Sequence, residues 1–225
     1  MALILNIDSS TDFAAVALAR DGDLVGMAEN GAQKDHAAWL HPAIESMMGD
    51  QRLTMNELNA VALCAGPGSY TGLRVAMAAA KGFCYALGLP LITENTLTVM
   101  AYGMRELLGR REDLLYCPMI DARRMEVFAA VYTAALSEQI PPAAFVLNKN
   151  LFENLFSSHT IAFAGTGSLK WKSLGEGSKS IFIDKIVNIK YLAQISYQKF
   201  RSGTFTDLIY SEPIYLKDFH NQTLK

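Results

Sequence analysis

The chain has 225 residues, 51% of them hydrophobic and 19% charged. That composition supplies a packed core, excludes a disordered chain, and suits one large domain or two small ones. The formal net charge of −2 excludes global attraction to nucleic acid, so any RNA contact needs a local basic patch or a partner protein.

No apolar run approaches the roughly 18 residues of a membrane span. The first residues, Met-Ala-Leu-Ile-Leu-Asn-Ile-Asp, lack the basic region and small-residue cleavage site of a signal peptide and read as a strand. Cys64, Cys84 and Cys117 are far apart and flanked by apolar residues. They fit reduced core thiols of a cytoplasmic protein better than a disulfide framework or a zinc site.

Residues 3–7 are an almost continuous apolar run, the pattern of a central strand buried on both faces. Asp8-Ser9-Ser10-Thr11 breaks the run with turn formers. A second strand is expected over residues 13–19, a hairpin turn at Arg20-Asp21-Gly22-Asp23, and a return strand over 24–29. A helix follows over about 34–48, which Pro42 should end or kink near His41. The strand at 60–65 runs into Gly66-Pro67-Gly68-Ser69-Tyr70-Thr71, whose two Gly and Pro force a sharp turn. Thr71 is the expected N-cap of a helix over 72–87. A short strand at 89–93 and a helix capped by Asn95 or Thr96, running to about Leu108, complete the order βββαβαβα.

Arg110-Arg111-Glu112-Asp113 is a charged break and marks a domain boundary. Beyond it, strands are expected at 115–120 and 126–132 around the polar corner Asp121-Ala122-Arg123-Arg124. A loop follows at Gln139-Ile140-Pro141-Pro142, then a short strand at 145–147, a helix at about 149–156 and a strand at 160–164. Gly165-Thr166-Gly167-Ser168 is a second Gly-rich turn before a helix. Residues 170–185 read as polar and irregular, with Gly175 and Gly177 among them. Residues 189–202 are amphipathic and helical, and 213–217 form an edge strand.

The chemistry-bearing residues are sparse. Of the four histidines, His36 and His41 lie about 140° apart around a helix axis, and His159 and His220 are distant. No His-x-x-x-His pair exists, so no metal is expected, and His36 reads as a packed or interface histidine. The loop from Gly66 suits an anion or close backbone packing. It has Thr71 where a dinucleotide fingerprint needs glycine, and Leu73-Arg74 where a Walker loop needs Lys-Ser/Thr. Ser69 has no neighbouring His and no nucleophile elbow. Asp121, Arg123 and Arg124 suit acid–base or anion chemistry, or a solvated ion pair. The two helices at 34–48 and 72–87 are apolar nearly all round. They are either buried inside this chain or exposed as a partner surface.

The full string Gly66-Pro67-Gly68-Ser69-Tyr70-Thr71-Gly72-Leu73-Arg74 resembles the signature of the TsaB (YeaZ) family. That family is the non-catalytic paralogue of TsaD in bacterial synthesis of the tRNA base threonylcarbamoyladenosine. Asp8-Ser9-Ser10, His36 with Leu40, Asp121-Ala122-Arg123 and Pro213-x-Tyr215-Leu216 match the family's shorter motifs. The resemblance implies an α/β fold of the actin-like ATPase and sugar-kinase (ASKHA) type. It would have two βββαβαβα-type subdomains, residues 1–110 and 111–225, the second reduced.

The resemblance further implies a scaffold subunit that is not itself an enzyme. It would bind and activate TsaD, which adds a threonylcarbamoyl group to an adenosine beside the tRNA anticodon. The helices would pair with TsaD through His36, Trp39, Leu40, Ala43, Met47, Thr71, Leu73, Arg74, Met77, Ala80, Lys81 and Cys84. A TsaE-type P-loop ATPase is expected at the same assembly, tRNA indirectly through the complex, and a homodimer when the chain is alone. The fold's phosphate and adenosine loops fall at Asp8, Ser9, Ser10, Thr11, Gly165 and Gly167. Residues 1–20 hold no Gly, so at most weak nucleotide binding and no obligate cofactor is expected. A stand-alone actin-like ATPase or small-molecule kinase is the alternative, and a metallopeptidase a third reading.

Overall fold

The continuous apolar runs become central strands because they are buried on both faces. A computed structural model describes residues 1–31, 36–174 and 179–217. In it β1 (Leu3–Asp8) and β4 (Ala60–Gly66) are buried at every position. They run parallel, with Ile4 opposite Ala60 and Ile7 opposite Leu63. β2 (Ala14–Arg20) and β3 (Asp23–Asn30) extend this sheet antiparallel on one side, and β5 (Leu91–Asn95) extends it parallel on the other. The order is β3-β2-β1-β4-β5.

The second half repeats that plan. β6 (Leu114–Asp121) lies at the centre, with β7 (Glu126–Tyr132) and β8 (Glu138–Val146) antiparallel on one side. β9 (Thr160–Ala164) and β10 (Ser180–Ile183) lie parallel on the other. The sheet reads β10-β9-β6-β7-β8, the first order seen from its other end. The helices differ between the halves. α1 (His36–Asp50), α2 (Tyr70–Leu87) and α3 (Thr96–Leu108) are full length. Their counterparts α4 (Glu153–Phe156) and α5 (Ser168–Ser173) are reduced to a turn or two, while α6 (Asn188–Ser202) is long.

α1 and α2 cover one face of the first sheet, where Leu40, Ile44, Met47, Leu73 and Met77 are sealed from solvent. α6 covers the other face, placing Leu192 and Ile195 beside Ala17 and Cys64. α3 packs the opposite way, with Leu97, Met100 and Met104 against Tyr116 and Tyr132 of the second sheet. Each half therefore sends its last helix to the other's core, and the two helices cross in contact. At the crossing Gly103 admits the Tyr191 ring, which stands 2.6 Å from where a β-carbon would sit. On the far face of the second sheet, Phe152 meets Trp171 edge-on at 5.0 Å between centroids.

All three cysteines are buried free thiols. Burial pushes the Cys84 thiol up to about 11 and raises those of Cys64 and Cys117, so they behave as neutral core groups. Among the described residues no helix is long and apolar enough to cross a membrane.

Several boundaries differ from the sequence expectation for physical reasons. α1 runs through Pro42 to Asp50, because burial of Leu40, Ile44, Met47 and Met48 offsets one lost backbone hydrogen bond. Pro141 and Pro142 lie inside β8 rather than in a loop. They sit at a register shift of an edge strand, between the pairs Val131–Ile140 and Ala129–Ala143, where missing N–H groups are tolerated. The helix expected from 149 forms only at Glu153–Phe156. The apolar run Ser180–Ile183 forms a strand inside the supposedly irregular stretch. Residues 213–217 are not an edge strand, because their main chain follows a cleft and is tied to Ala65 instead. The expected start at Lys34, the glycines 175 and 177, and His220 lie outside the described residues.

One polar pair lies deep in this architecture. Asn6 in β1 is fully buried, and Ser196 of α6 donates to its Oδ1 at 2.7 Å. Replacing Ser196 by Ala leaves that oxygen buried without its donor, which costs about 1–3 kcal/mol. Urea unfolding should show a lower midpoint with an unchanged m-value; an unchanged midpoint refutes the pairing.

Candidate functional site

Loops at the carboxyl ends of parallel strands are where open α/β sheets form ligand sites. Here the ends of β1, β4, β6 and β9 face one another across a cleft of about 1150 Å³ between the two sheets. Four of the motifs singled out in the sequence line it, through Ser10, residues 67–71, residues 121–123, and Ile214 with Tyr215, whereas His36 and Leu40 do not. Sequence separation hid this convergence, because the chain returns to the cleft only after two crossovers.

One wall is two loops locked together. Ser69 N–H donates to the Ser10 carbonyl at 2.7 Å, and Ser9 Oγ donates to the Gly72 carbonyl at 2.7 Å. Asp8 Oδ1 accepts from Ser10 N–H at 3.0 Å and from Ser10 Oγ at 2.6 Å. The backbones approach so closely that a β-carbon on Gly68 or Gly72 would lie 2.0 Å from the carbonyl oxygen of Ser10 or Ser9. Gly66, at φ 120° before a cis Pro67, has the Ile214 carbonyl 2.5 Å from its β-carbon position. Glycine here serves backbone packing. Ser69, not Thr71, is the N-cap: its Oγ accepts from Gly72 N–H at 3.3 Å, and the helix begins at Tyr70.

The loops expected to cradle phosphate are largely occupied by these contacts. Ser9 and Ser10 are buried, and Thr11 lies on the lip. Gly165 and Gly167 are packed under β6: their β-carbon positions fall 2.3 Å from the Met119 carbonyl and 2.8 Å from Val127. Gly167 N–H donates to Met119.

The opposite wall is the β6–β7 corner. Lys170 Nζ donates to Asp121 Oδ1 and to the Arg124 carbonyl, both at 2.6 Å. Arg123 N–H donates to the same Asp121 oxygen at 2.6 Å. Burial pushes the Asp121 carboxyl up, but the Lys170 ammonium and the Arg123 N–H outweigh it and hold it below the ordinary value. Arg123 and Arg124 both adopt positive φ, 67° and 48°. The tail closes the cleft between the walls. Ile214 N–H donates to the Ala65 carbonyl at 2.7 Å, and Arg74 Nε donates to Tyr215 Oη at 3.1 Å. The Arg74 guanidinium lies 3.9 Å over the Tyr70 ring, and Lys217 pairs with Glu126 on the far wall. The pairing of Lys170 with Asp121 and of Lys217 with Glu126 carried no signal in the sequence, since isolated charges far apart in the chain have no common pattern.

The α1/α2 surface lies apart from this cleft. Among the residues expected to meet a partner, Leu40, Met47, Leu73, Met77, Ala80 and Cys84 are in the chain's own core, and His36 is buried. Their side chains cannot face a partner while this core is intact. Thr71 and Arg74 are exposed, and Trp39, Ala43 and Lys81 half-buried. Lys81 Nζ donates to the carbonyls of Ile209 and Ser211, both at 3.0 Å. The outward stripe is Ala37, Ala38 and His41 on α1, with Ala78, Gly82 and Tyr85 on α2. Helical spacing carried this signal. Positions 73, 77, 80 and 84 form one stripe and 74, 78, 82 and 85 its complement; apart from Arg74 neither stripe carries a charge, so the sheet decides which turns inward.

The His41 ring lies tilted by 51° against Phe83, 5.7 Å between centroids, and Ser158 Oγ lies 2.8 Å from His159 Nδ1. Among the described residues no three His, Cys, Asp or Glu side chains gather closely enough to hold a metal ion.

Gly68→Ala forces the two cleft loops apart and should lower stability by about 3 kcal/mol, the upper end of overpacking costs. A urea midpoint within error of the parent chain's would show that the loops are not clamped.

The family model described as "TsaD: tRNA N6-adenosine threonylcarbamoyltransferase" matches residues 23–204. The Bacillus subtilis (strain 168) protein named "tRNA threonylcarbamoyladenosine biosynthesis protein TsaB" is 30% identical over 154 residues. That match spans 68% of this chain and 65% of the relative. The Escherichia coli (strain K12) protein of the same name is 28% identical over 222 residues, 96% of this chain and 94% of the relative. The solved structure titled "YeaZ from Pseudomonas aeruginosa" superposes with a TM-score of 0.79 at 21% identity, covering 96% of this chain and all of that one. The duplicated sheets are those of the actin-like ATPase and sugar-kinase fold. With the signature loop, the two sheets and these matches in agreement, the chain belongs to the TsaB (YeaZ) family, within the wider family that the TsaD model describes.

Proposed function

We propose that this chain takes part in tRNA threonylcarbamoyladenosine synthesis as a docking subunit. It binds and activates a TsaD-family transferase and carries no catalytic step itself. The observation that carries this reading is the outward face of α1 and α2. Both helices already bury one apolar stripe, yet their solvent side still shows Ala37, Ala38, Ala78, Gly82 and an 85% exposed Tyr85. A helix surface of small residues around an aromatic lets another helix approach closely. Gly82 points the same way: nothing lies within 4 Å of its β-carbon position, so the fold itself does not require glycine there.

Two copies of the chain would hide this face against each other when the transferase is absent, and a TsaE-type ATPase would join the assembled pair. The transferase partner would hold the metal and perform the chemistry. A stand-alone ATPase has weaker support. The Ser10 and Ser69 amides that a phosphate loop would offer are already committed within the chain.

Gly82→Ala should raise the stability of the isolated chain by about 1 kcal/mol, the helix-propensity difference between the residues. Ala78→Glu should leave its thermal midpoint nearly unchanged, and Gly82→Glu should not lower it, since glutamate also has the higher helix propensity. They should weaken the complex with a TsaD-family protein roughly 30-fold or more, the scale of a lost interface hot spot. Light scattering of the mixed proteins and assay of modified tRNA read the outcome. Intact complex and modification in both glutamate variants would place docking elsewhere.

A further inference from the structure

The corner that ends β6 carries two arginines in a conformation side chains rarely adopt, and it is fixed from below. Arg123 and Arg124 are exposed, line the cleft and have consecutive positive φ. Such outliers persist only where the surroundings hold them. Here the holders are Lys170, which grips Asp121 and the Arg124 carbonyl, and the hydrogen bond from Arg123 N–H to Asp121. Among the described residues neither guanidinium donates a hydrogen bond or joins an ion pair. The neighbouring acids are already neutralised: Asp121 by Lys170 and Glu126 by Lys217. Asp12 lies on the opposite lip. Arg123 adds a weaker attraction to Asp121, and the wall is left with two positive charges in excess, as many as the arginine pair supplies.

We propose that Arg123 and Arg124 bind phosphodiester groups of the RNA substrate, which lies along this cleft. This rests on the reading that the chain works in tRNA modification. The chemistry favours an extended diester chain over a compact nucleotide triphosphate, which needs converging backbone amides. Several amides of this cleft are already used: Ser10 on Asp8, Ser69 on Ser10, Asp121 on Thr166, and Gly167 on Met119. Guanidinium forks on an open lip instead match phosphates spaced along a strand. A net charge of −2 does not oppose this, because the contact is local.

The test measures binding of unmodified tRNA against salt concentration, for the complex with the TsaD-family partner and for the chain alone. With Arg123→Gln and Arg124→Gln combined, affinity of the complex should fall about 10-fold. The slope of log affinity against log salt should drop by about 1–2, the value for one or two phosphate contacts. The double lysine variant should restore the slope, and heterodimer formation should be unchanged in all. Unaltered RNA affinity and slope in the glutamine variant overturn the proposal. So does loss of ATP binding with RNA binding intact, which would make the pair a nucleotide site. A heterodimer that fails to form with the parent chain counts against the proposed function, while the chain alone still reports on the arginines.

Discussion

The close approach of Ser9-Ser10 to Gly68–Gly72 is the constraint around which the cleft is built. Two loops that end adjacent parallel strands lie within a distance that excludes even a β-carbon. Once they are locked, the start of α2, the position of Ser69 and the seat of the tail at Ala65 all follow. The tail then links the walls, through Tyr215 to Arg74 on one side and Lys217 to Glu126 on the other. Glycine is thus required in this signature loop by backbone contact. That differs from a nucleotide loop, where glycine clears space for a phosphate.

The exchange of α3 and α6 between the halves ties the two sheets into one unit. Each sheet is covered on one face by a helix from the other half, and Gly103 lets the two helices cross at the Tyr191 ring. The second half keeps its five strands but has shortened α4 and α5 to a turn or two. In the first half α1 and α2 remain long, and their outward face keeps a patch of small residues around Tyr85 that the core does not need. Long helices with such a patch to spare are what docking requires, and the asymmetry of the two halves puts it on one side only.

The strands and long helices were legible because apolar period and turn chemistry act locally. β7 and β9 appear at the expected residues, and Asn95 caps α3 through Leu97 N–H at 2.8 Å. Local rules failed where tertiary packing competed with them. Pro42 stays within α1 because four buried side chains outweigh one hydrogen bond, and two prolines enter β8 because an edge bulge needs no donors there. The cleft was legible only as separate pieces. Asp8, the Gly66–Arg74 string, the Asp121 corner and Tyr215 each stood out, but their meeting depends on both crossovers.

The sequence by itself determined the element order of the first half, the family signature and the absence of a His-x-x-x-His pair, since these depend on residues near one another in the chain. Tertiary structure alone decided which stripe of α2 faces outward. Leu73, Met77, Ala80 and Cys84 turn inward because the sheet lies on that side, and Ala78, Gly82 and Tyr85 are left to solvent. It also decided that Asp121 and Glu126 are neutralised by Lys170 and Lys217, leaving the wall that holds Arg123 and Arg124 with two positive charges in excess. A helix with almost no charge on either side has no preferred face, and distant charges no partner, until the folded chain brings their neighbours to them.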